Sequence, residues 1–141
     1  MLEDREGAIA YGLIAPRVFY ARFVGSLSAE LGTNYVRRLE TVLEGADSLA
    51  YFGDASALRT YDLVARTRFQ LLVAARRTKF SALVFLTWDA RYTTQVFTDA
   101  LGEAPQIYAD PADFDRVLSN VAPAPVRASD QLGHLWQALS T

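Results

Sequence analysis

The residues of this chain best suited to chemistry are aspartates that follow predicted strands. Asp54, Asp62 and Asp89 fall at or just beyond the carboxyl ends of these strands, which is the edge where open α/β sheets bind ligands. Grouped there, their carboxylates could hold a metal ion or accept a phosphoryl group. The alternative is helix capping, because a carboxylate just before a helix accepts hydrogen bonds from free backbone N–H groups. Asp89 and Asp110 each precede a predicted helix, so capping is favoured and no metal site is predicted.

Sequence motifs that mark nucleotide-binding, hydrolytic and zinc sites are absent. Neither G-x-x-x-x-G-K-[ST] nor G-x-G-x-x-G occurs, and no G-x-S-x-G elbow supplies a serine nucleophile. His134 is the only histidine, and there is no cysteine to complete a usual zinc site with it. An enzyme built on Asp54 and Asp62 is the least favoured hypothesis, because no paired base and nucleophile is visible. We therefore predict a protein that is not an enzyme and needs no cofactor.

Composition and charge indicate a single globular domain. The chain has 141 residues, of which 51% are hydrophobic and 21% charged, so it can build a core. A net charge of −2 gives no general attraction to nucleic acid or to anionic membranes. The longest apolar run, residues 80–88, is far shorter than the roughly 20 residues of a membrane helix. We therefore expect a protein that binds no nucleic acid and does not insert into membranes. Because the N-terminus is acidic and cysteine is absent, we also expect a cytoplasmic location.

The order of the apolar segments predicts the elements that would position the aspartates. Residues 8–14 and 18–25 flank Pro16 and predict a β-hairpin that turns there. Further strands are predicted at 48–53, 80–88 and 105–110, and they alternate with helices at 28–45, 60–78, 89–102 and 111–120. Strands separated by single helices imply a parallel sheet. The predicted fold class is therefore α/β, with an N-terminal β-hairpin leading into a mostly parallel sheet of about five strands with about four helices.

Capping residues support the predicted helix boundaries. Helix starts are assigned to Ser28, Thr60, Asp89 and Asp110, the last followed by Pro111 at the first helical position. Helix ends are assigned to Gly45 and Gly102. These assignments make residues 54–62 the loop and helix start that follow a strand ending at Gly53.

The last part of the chain differs in composition from the rest. Residues 121–129 form a proline-containing linker after the domain at 1–120. In the segment 130–141 an apolar stripe at i, i+3, i+4 and i+7 predicts a short amphipathic helix, formed by Leu132, Leu135, Trp136 and Leu139. This stripe could pack on its own domain, on a second copy of the chain or on a partner protein.

Short motifs and the order of elements resemble the STAS domain, the family of anti-sigma-factor antagonists. The match covers roughly residues 8–120 and includes the turn Val24-Gly25-Ser26-Leu27 and the segment Asp54-Ala55-Ser56, with Asp62 where the family has a second aspartate. The resemblance implies a STAS-like fold and a role in a bacterial regulatory or sensory assembly. The family's phosphorylatable Ser or Thr follows the second aspartate, but Leu63 and Val64 stand there in this chain. The familiar phosphorylation switch is therefore expected to be missing.

Two functional hypotheses follow from these features. The first is a non-enzymatic domain that binds a regulatory protein. This domain could also form a homo-oligomer. Its predicted interaction surface comprises Asp54, Ser56, Arg59, Thr60, Tyr61 and Asp62. The alternative is a module that binds a small molecule or lipid in a pocket at the carboxyl edge of the sheet. Such a pocket could be lined by aromatic side chains, although packing in the core would explain them equally well: Tyr51, Phe52, Trp88 and Tyr92.

Overall fold

Among the residues that the structure describes, six strands form one sheet, in which neighbours in space are also neighbours along the chain. The structure is a computed structural model and describes residues 1–102 and 105–122. The strands are β1 (Leu2–Glu3), β2 (Gly7–Ala15), β3 (Val18–Leu27), β4 (Leu49–Tyr61), β5 (Phe80–Leu86) and β6 (Gln106–Tyr108). The helices are α1 (Ala29–Glu44), α2 (Leu63–Ala75), α3 (Ala90–Leu101) and α4 (Pro111–Ser119), and a 3₁₀ turn covers Arg77–Lys79.

The sheet is antiparallel at its N-terminal edge and parallel elsewhere. β1 pairs with β2 and β2 with β3 in antiparallel register, whereas β3, β4, β5 and β6 run parallel. The β2–β3 hairpin turns at Pro16 and Arg17. Pro16 has a fixed φ, so the left-handed conformation of the turn falls on Arg17, which has a φ of 63°. The predicted α/β class, hairpin and parallel sheet are confirmed, with β1 as an additional short strand.

Most of the predicted helix boundaries are confirmed by hydrogen bonds at the caps. Ser28 Oγ accepts a hydrogen bond from the N–H of Leu31 at 3.0 Å and begins α1. Asp89 and Asp110 cap α3 and α4, as the capping interpretation predicts. The Thr60 cap is wrong, because Thr60 lies in β4 and the side chain of Asp62 caps α2 instead.

The prediction that β4 ends at Gly53 is wrong, and the strand continues to Tyr61. Side-chain packing explains why position 53 is a glycine, because a Cβ there would lie 3.0 Å from the ring of Tyr51 and 3.1 Å from that of Phe85. The polar second half of β4, residues 54–61, pairs with β3 through backbone hydrogen bonds. Val24 lies opposite Ala57, and the register of the two strands shifts on either side of this pair. Residues 54–61 are therefore a strand extension and not the predicted loop.

Helices α1 and α2 approach each other closely at Gly32. A Cβ on Gly32 would overlap the Cβ of Ala65, so a side chain at this position would push the helices apart. This contact explains a glycine inside a helix, where glycine costs about 1 kcal/mol relative to alanine.

The sheet separates two hydrophobic clusters. On one face, residues such as Phe19 and Phe85 pack against α1, α2 and α3. On the other face, Tyr20, Phe52 and neighbouring residues pack against Phe114 and Leu118 of α4. Alternate residues of β4 therefore belong to different environments, because successive side chains of a strand point to opposite faces.

Candidate functional site

Asp54 lies inside the protein, on the face of the sheet that α4 covers. Its carboxylate accepts a hydrogen bond from the Tyr20 hydroxyl at 3.3 Å. It also accepts bonds from the N–H of Ser56 at 2.9 Å and from the Ser56 hydroxyl at 2.6 Å. Burial raises the pKa of Tyr20, and the neighbouring charge of Asp54 raises it further, so Tyr20 stays a neutral donor. Asp54 is therefore buried within a local hydrogen-bond network. It does not belong to an exposed interaction surface, contrary to the prediction from the sequence.

The other five residues of the predicted interaction surface are exposed. They extend along the edge of the sheet towards the start of α2: Ser56, Arg59, Thr60, Tyr61 and Asp62. Asp54 and Tyr61 are seven strand positions apart, which corresponds to about 23 Å at the usual rise of a strand. Asp54 and Asp62 therefore do not form a carboxylate pair. Asp62 instead accepts a hydrogen bond from the N–H of Val64 at 2.8 Å.

The aspartates are dispersed over separate helix caps and the Asp54 network. Among residues 1–102 and 105–122, no group of three or more His, Cys, Asp or Glu side chains could hold a metal ion.

A mostly apolar cavity of about 130 Å³ lies at this edge, between the sheet and the helices α1, α2 and α3. Phe69, Phe85 and Phe97 form an aromatic wall, and the rings of Phe85 and Phe97 stack with centroids 4.9 Å apart. Gly32 and Ala65 also line the cavity, so the close contact between α1 and α2 helps to set its shape.

The mouth of the cavity is formed by Tyr61, Arg66 and Tyr92. The Arg66 guanidinium lies 5.7 Å from the ring centre of Tyr61 and 5.8 Å from that of Tyr92, within cation–π range of both. Its Nη1 donates a hydrogen bond to the Tyr92 hydroxyl at 2.6 Å. The adjacent Tyr61 and Tyr92 hydroxyls raise the pKa of Arg66, which keeps it charged. Tyr61 and Tyr92 are 40% and 44% exposed, so these rings are accessible from solvent.

The buried end of the cavity carries two tyrosine hydroxyls. The hydroxyls of Tyr35 and Tyr51 lie 2.5 Å apart and hydrogen-bond to each other, and both residues are buried. Burial raises the pKa of both tyrosines, so both stay protonated. Two hydroxyls carry two protons and their mutual bond uses one. The second proton has no acceptor among the described side chains and backbone.

The pocket lining predicted from the sequence is correct in part. Tyr51 and Tyr92 line the cavity, but Phe52 lies on the opposite face, where its ring packs on Phe114 with centroids 5.8 Å apart. Trp88 lies at the rim: it is 67% exposed, and its Nε1 donates to the carbonyl of Leu58, a lining residue, at 3.0 Å.

Arg66 is the residue that the sequence reasoning missed. It follows Tyr61 by five positions, a spacing that carries no motif, and Tyr92 belongs to another helix. Only the packing of α2 against α3 brings the three side chains together. The predicted stripe of Leu132, Leu135, Trp136 and Leu139 lies outside the described residues, as does most of the predicted linker.

Comparisons with known proteins identify the fold class. No family model matches the chain, and no curated protein matches it in sequence. A solved structure that it resembles is an uncharacterized protein of the DUF3478 family, with a SpoIIAA-like fold, from Shewanella loihica PV-4. The TM-score is 0.63 at 18% sequence identity, over 84% of this chain and 99% of that one. The fold is therefore SpoIIAA-like, that is STAS-like, as the resemblance predicted, and an identity this low carries the fold alone. No helix in the described ranges has the length and apolar character to cross a membrane.

Proposed function

We propose that this chain is a non-enzymatic domain that binds a small, mainly apolar molecule in the cavity between the sheet and α1–α3. The observation that carries the proposal is the cavity itself, which has an apolar lining and lies at the edge where α/β sheets bind ligands. The three residues at its mouth are polar or aromatic, which suits a ligand that enters from solvent.

The size of the cavity favours binding over a packing defect. Protein interiors contain few voids larger than a water molecule, because close packing stabilises the core. A cavity of about 130 Å³ is well above that limit. An engineered apolar cavity of about 150 Å³ in another protein stays dry and binds benzene. A ring or a short alkyl chain therefore fits here.

Titration with 1-octanol, followed by ¹⁵N–¹H NMR, tests the proposal. We expect saturable shifts for backbone amides of lining residues such as Ala55, Phe69 and Val96. The substitution Val96→Phe places a ring in the cavity and should abolish these shifts. Val64→Phe is the matched control, because Val64 is 49% exposed and does not line the cavity. Absence of saturable binding to the wild-type protein by 1-octanol and by benzene would refute the proposal.

A second candidate function is recognition of a regulatory protein by the start of α2. Leu63 and Val64 are 62% and 49% exposed, and they occupy the positions where STAS domains carry their phosphorylatable residue. Together with Tyr61 they form an exposed apolar patch next to polar Arg59 and Asp62, a mixture common at protein interfaces. With no hydroxyl at positions 63 and 64, such a surface would not be switched there by phosphorylation.

Pull-down with variants of α2 tests this second function. Leu63→Arg should remove a stoichiometric protein partner from the eluate. Leu71→Arg should retain it, because Leu71 is exposed to a similar degree, 64%, at the other end of the same helix. Equal retention by both variants would exclude the start of α2 as the binding surface.

A further inference from the structure

We propose that the ligand of this cavity is an organic anion with an apolar body, and that Arg66 binds its carboxylate at the mouth. The inference rests on the proposed function, since it assigns a ligand class to the same cavity. It is carried by the charge, the hydrogen bonding and the position of one guanidinium.

Arg66 has no acidic partner among the described residues. The acids at the two adjoining helix starts are engaged elsewhere: Asp62 accepts from the N–H of Val64 at 2.8 Å, and Asp89 accepts from that of Tyr92 at 3.4 Å. Neither carboxylate forms an ion pair with the Arg66 guanidinium in the described part of the chain, so no salt bridge occupies the positive charge at the mouth. A charge beside an apolar cavity favours a ligand of opposite sign.

The hydrogen-bonding capacity of Arg66 is also incomplete. A guanidinium has five N–H donors, and Nη1 uses one of them on the Tyr92 hydroxyl. Its Nε is shielded from solvent and has no hydrogen-bond partner within residues 1–102 and 105–122. A shielded donor without an acceptor costs free energy. The donors that remain on the two Nη groups can form charge-assisted hydrogen bonds to a carboxylate that reaches the mouth. The planar guanidinium also matches the two oxygens of a carboxylate.

The surrounding tyrosines hold Arg66 in place before a ligand arrives. The rings of Tyr61 and Tyr92 lie near the guanidinium, with centroids 5.7 and 5.8 Å from its central carbon. Such preorganisation reduces the entropy lost on binding. A molecule whose alkyl or aryl body fills the cavity would place its head group beside Arg66, because Arg66 lines the same cavity.

Three probes with the same eight-carbon chain test the charge preference: octanoate, 1-octanol and octylammonium. The wild-type protein should bind octanoate at least tenfold more tightly than octylammonium, and 1-octanol should lie between them. The substitution Arg66→Gln should weaken octanoate about tenfold, the effect of one charge-assisted hydrogen bond, and leave 1-octanol unchanged. Arg68→Gln is the matched control: it removes the same charge from an exposed position of the same helix and should change neither affinity.

The outcomes separate the two proposals. Saturable 1-octanol binding with equal affinities for octanoate and octylammonium would overturn the anion proposal while the cavity function stands. The same conclusion would follow if Arg66→Gln and Arg68→Gln weakened octanoate equally, because the effect would then be general electrostatics. If none of the three probes binds the wild-type protein, the proposed function fails as well. The comparison on the wild-type protein remains decisive even if Arg66→Gln unfolds.

Discussion

Replacing one tyrosine of the buried Tyr35–Tyr51 pair by phenylalanine should destabilise the protein more than replacing both. The two hydroxyls lie 2.5 Å apart in a region where both residues are buried, at 2% and 0% exposure. In Tyr35→Phe the hydroxyl of Tyr51 loses its partner and remains buried, and Tyr51→Phe leaves Tyr35 in the same position. The double variant has no buried hydroxyl at this place.

The expected magnitudes follow from the cost of an unsatisfied buried group. A buried hydroxyl without a partner costs about 1–3 kcal/mol, whereas apolar replacement of both partners is nearly neutral. Each single variant should therefore lose about 1–3 kcal/mol of unfolding free energy, and the double variant should lie within about 1 kcal/mol of wild type. The second proton of the pair has no acceptor among the described residues, so the double variant also removes that unsatisfied donor.

Urea unfolding of the four proteins, followed by circular dichroism, measures this coupling. The double-mutant cycle should give an interaction free energy of about 2–6 kcal/mol between the two positions, which is the sum of the two single losses when the double variant loses almost nothing, provided that the m-values agree. Losses that add without coupling would refute the reasoning, because they would show that neither hydroxyl depends on the other. A Tyr11→Phe variant is a useful control, since Tyr11 contacts the same aromatic cluster and is only partly buried.

Further predictions concern the helix contact and the buried tyrosines. Gly32→Ala should destabilise by about 1–2 kcal/mol, because the overlap with Ala65 outweighs the higher helix propensity of alanine. Gly45→Ala, where an added Cβ meets nothing closer than 3.8 Å, should not destabilise, and equal effects of the two would contradict this account. In an alkaline titration at 295 nm, Tyr20 and the buried pair should ionise only on unfolding, because their pKa values are raised above the ordinary value of 10.0. The unfolded chain releases these protons above pH 10 and the folded one keeps them, so stability should fall as pH rises beyond that value. Reversible ionisation of all seven tyrosines without unfolding would contradict the prediction.

Local sequence signals predicted the helix ends well, because capping involves residues only a few positions apart. Ser28, Asp89 and Asp110 each satisfy backbone groups within three residues of themselves. The alternation of apolar strands and helices likewise determined the α/β class, since single crossover helices require parallel neighbours. The motif resemblance added the STAS-like fold.

The extent of β4 was not predictable in the same way. Residues 54–61 are partly polar and contain no continuous apolar run, so the local pattern favours a loop. They form a strand because β3 supplies hydrogen-bond partners along that length, with Leu27 opposite Tyr61. In the sequence, Gly53 resembled a strand end. The reason for a glycine there is the nearby rings of Tyr51 and Phe85, and these contacts are visible only in three dimensions.

The sequence by itself determined the alternation of strands and helices after the hairpin, three of the four caps at helix starts and the absence of common catalytic motifs, because these properties depend on neighbouring residues. The tertiary structure decided the site. Tyr61, Arg66 and Tyr92 come from the end of a strand and from two helices, and the cavity behind them depends on how closely α1 and α2 approach at Gly32. Side chains distant in sequence meet only when the helices pack on the sheet, and no spacing along the chain encodes that contact.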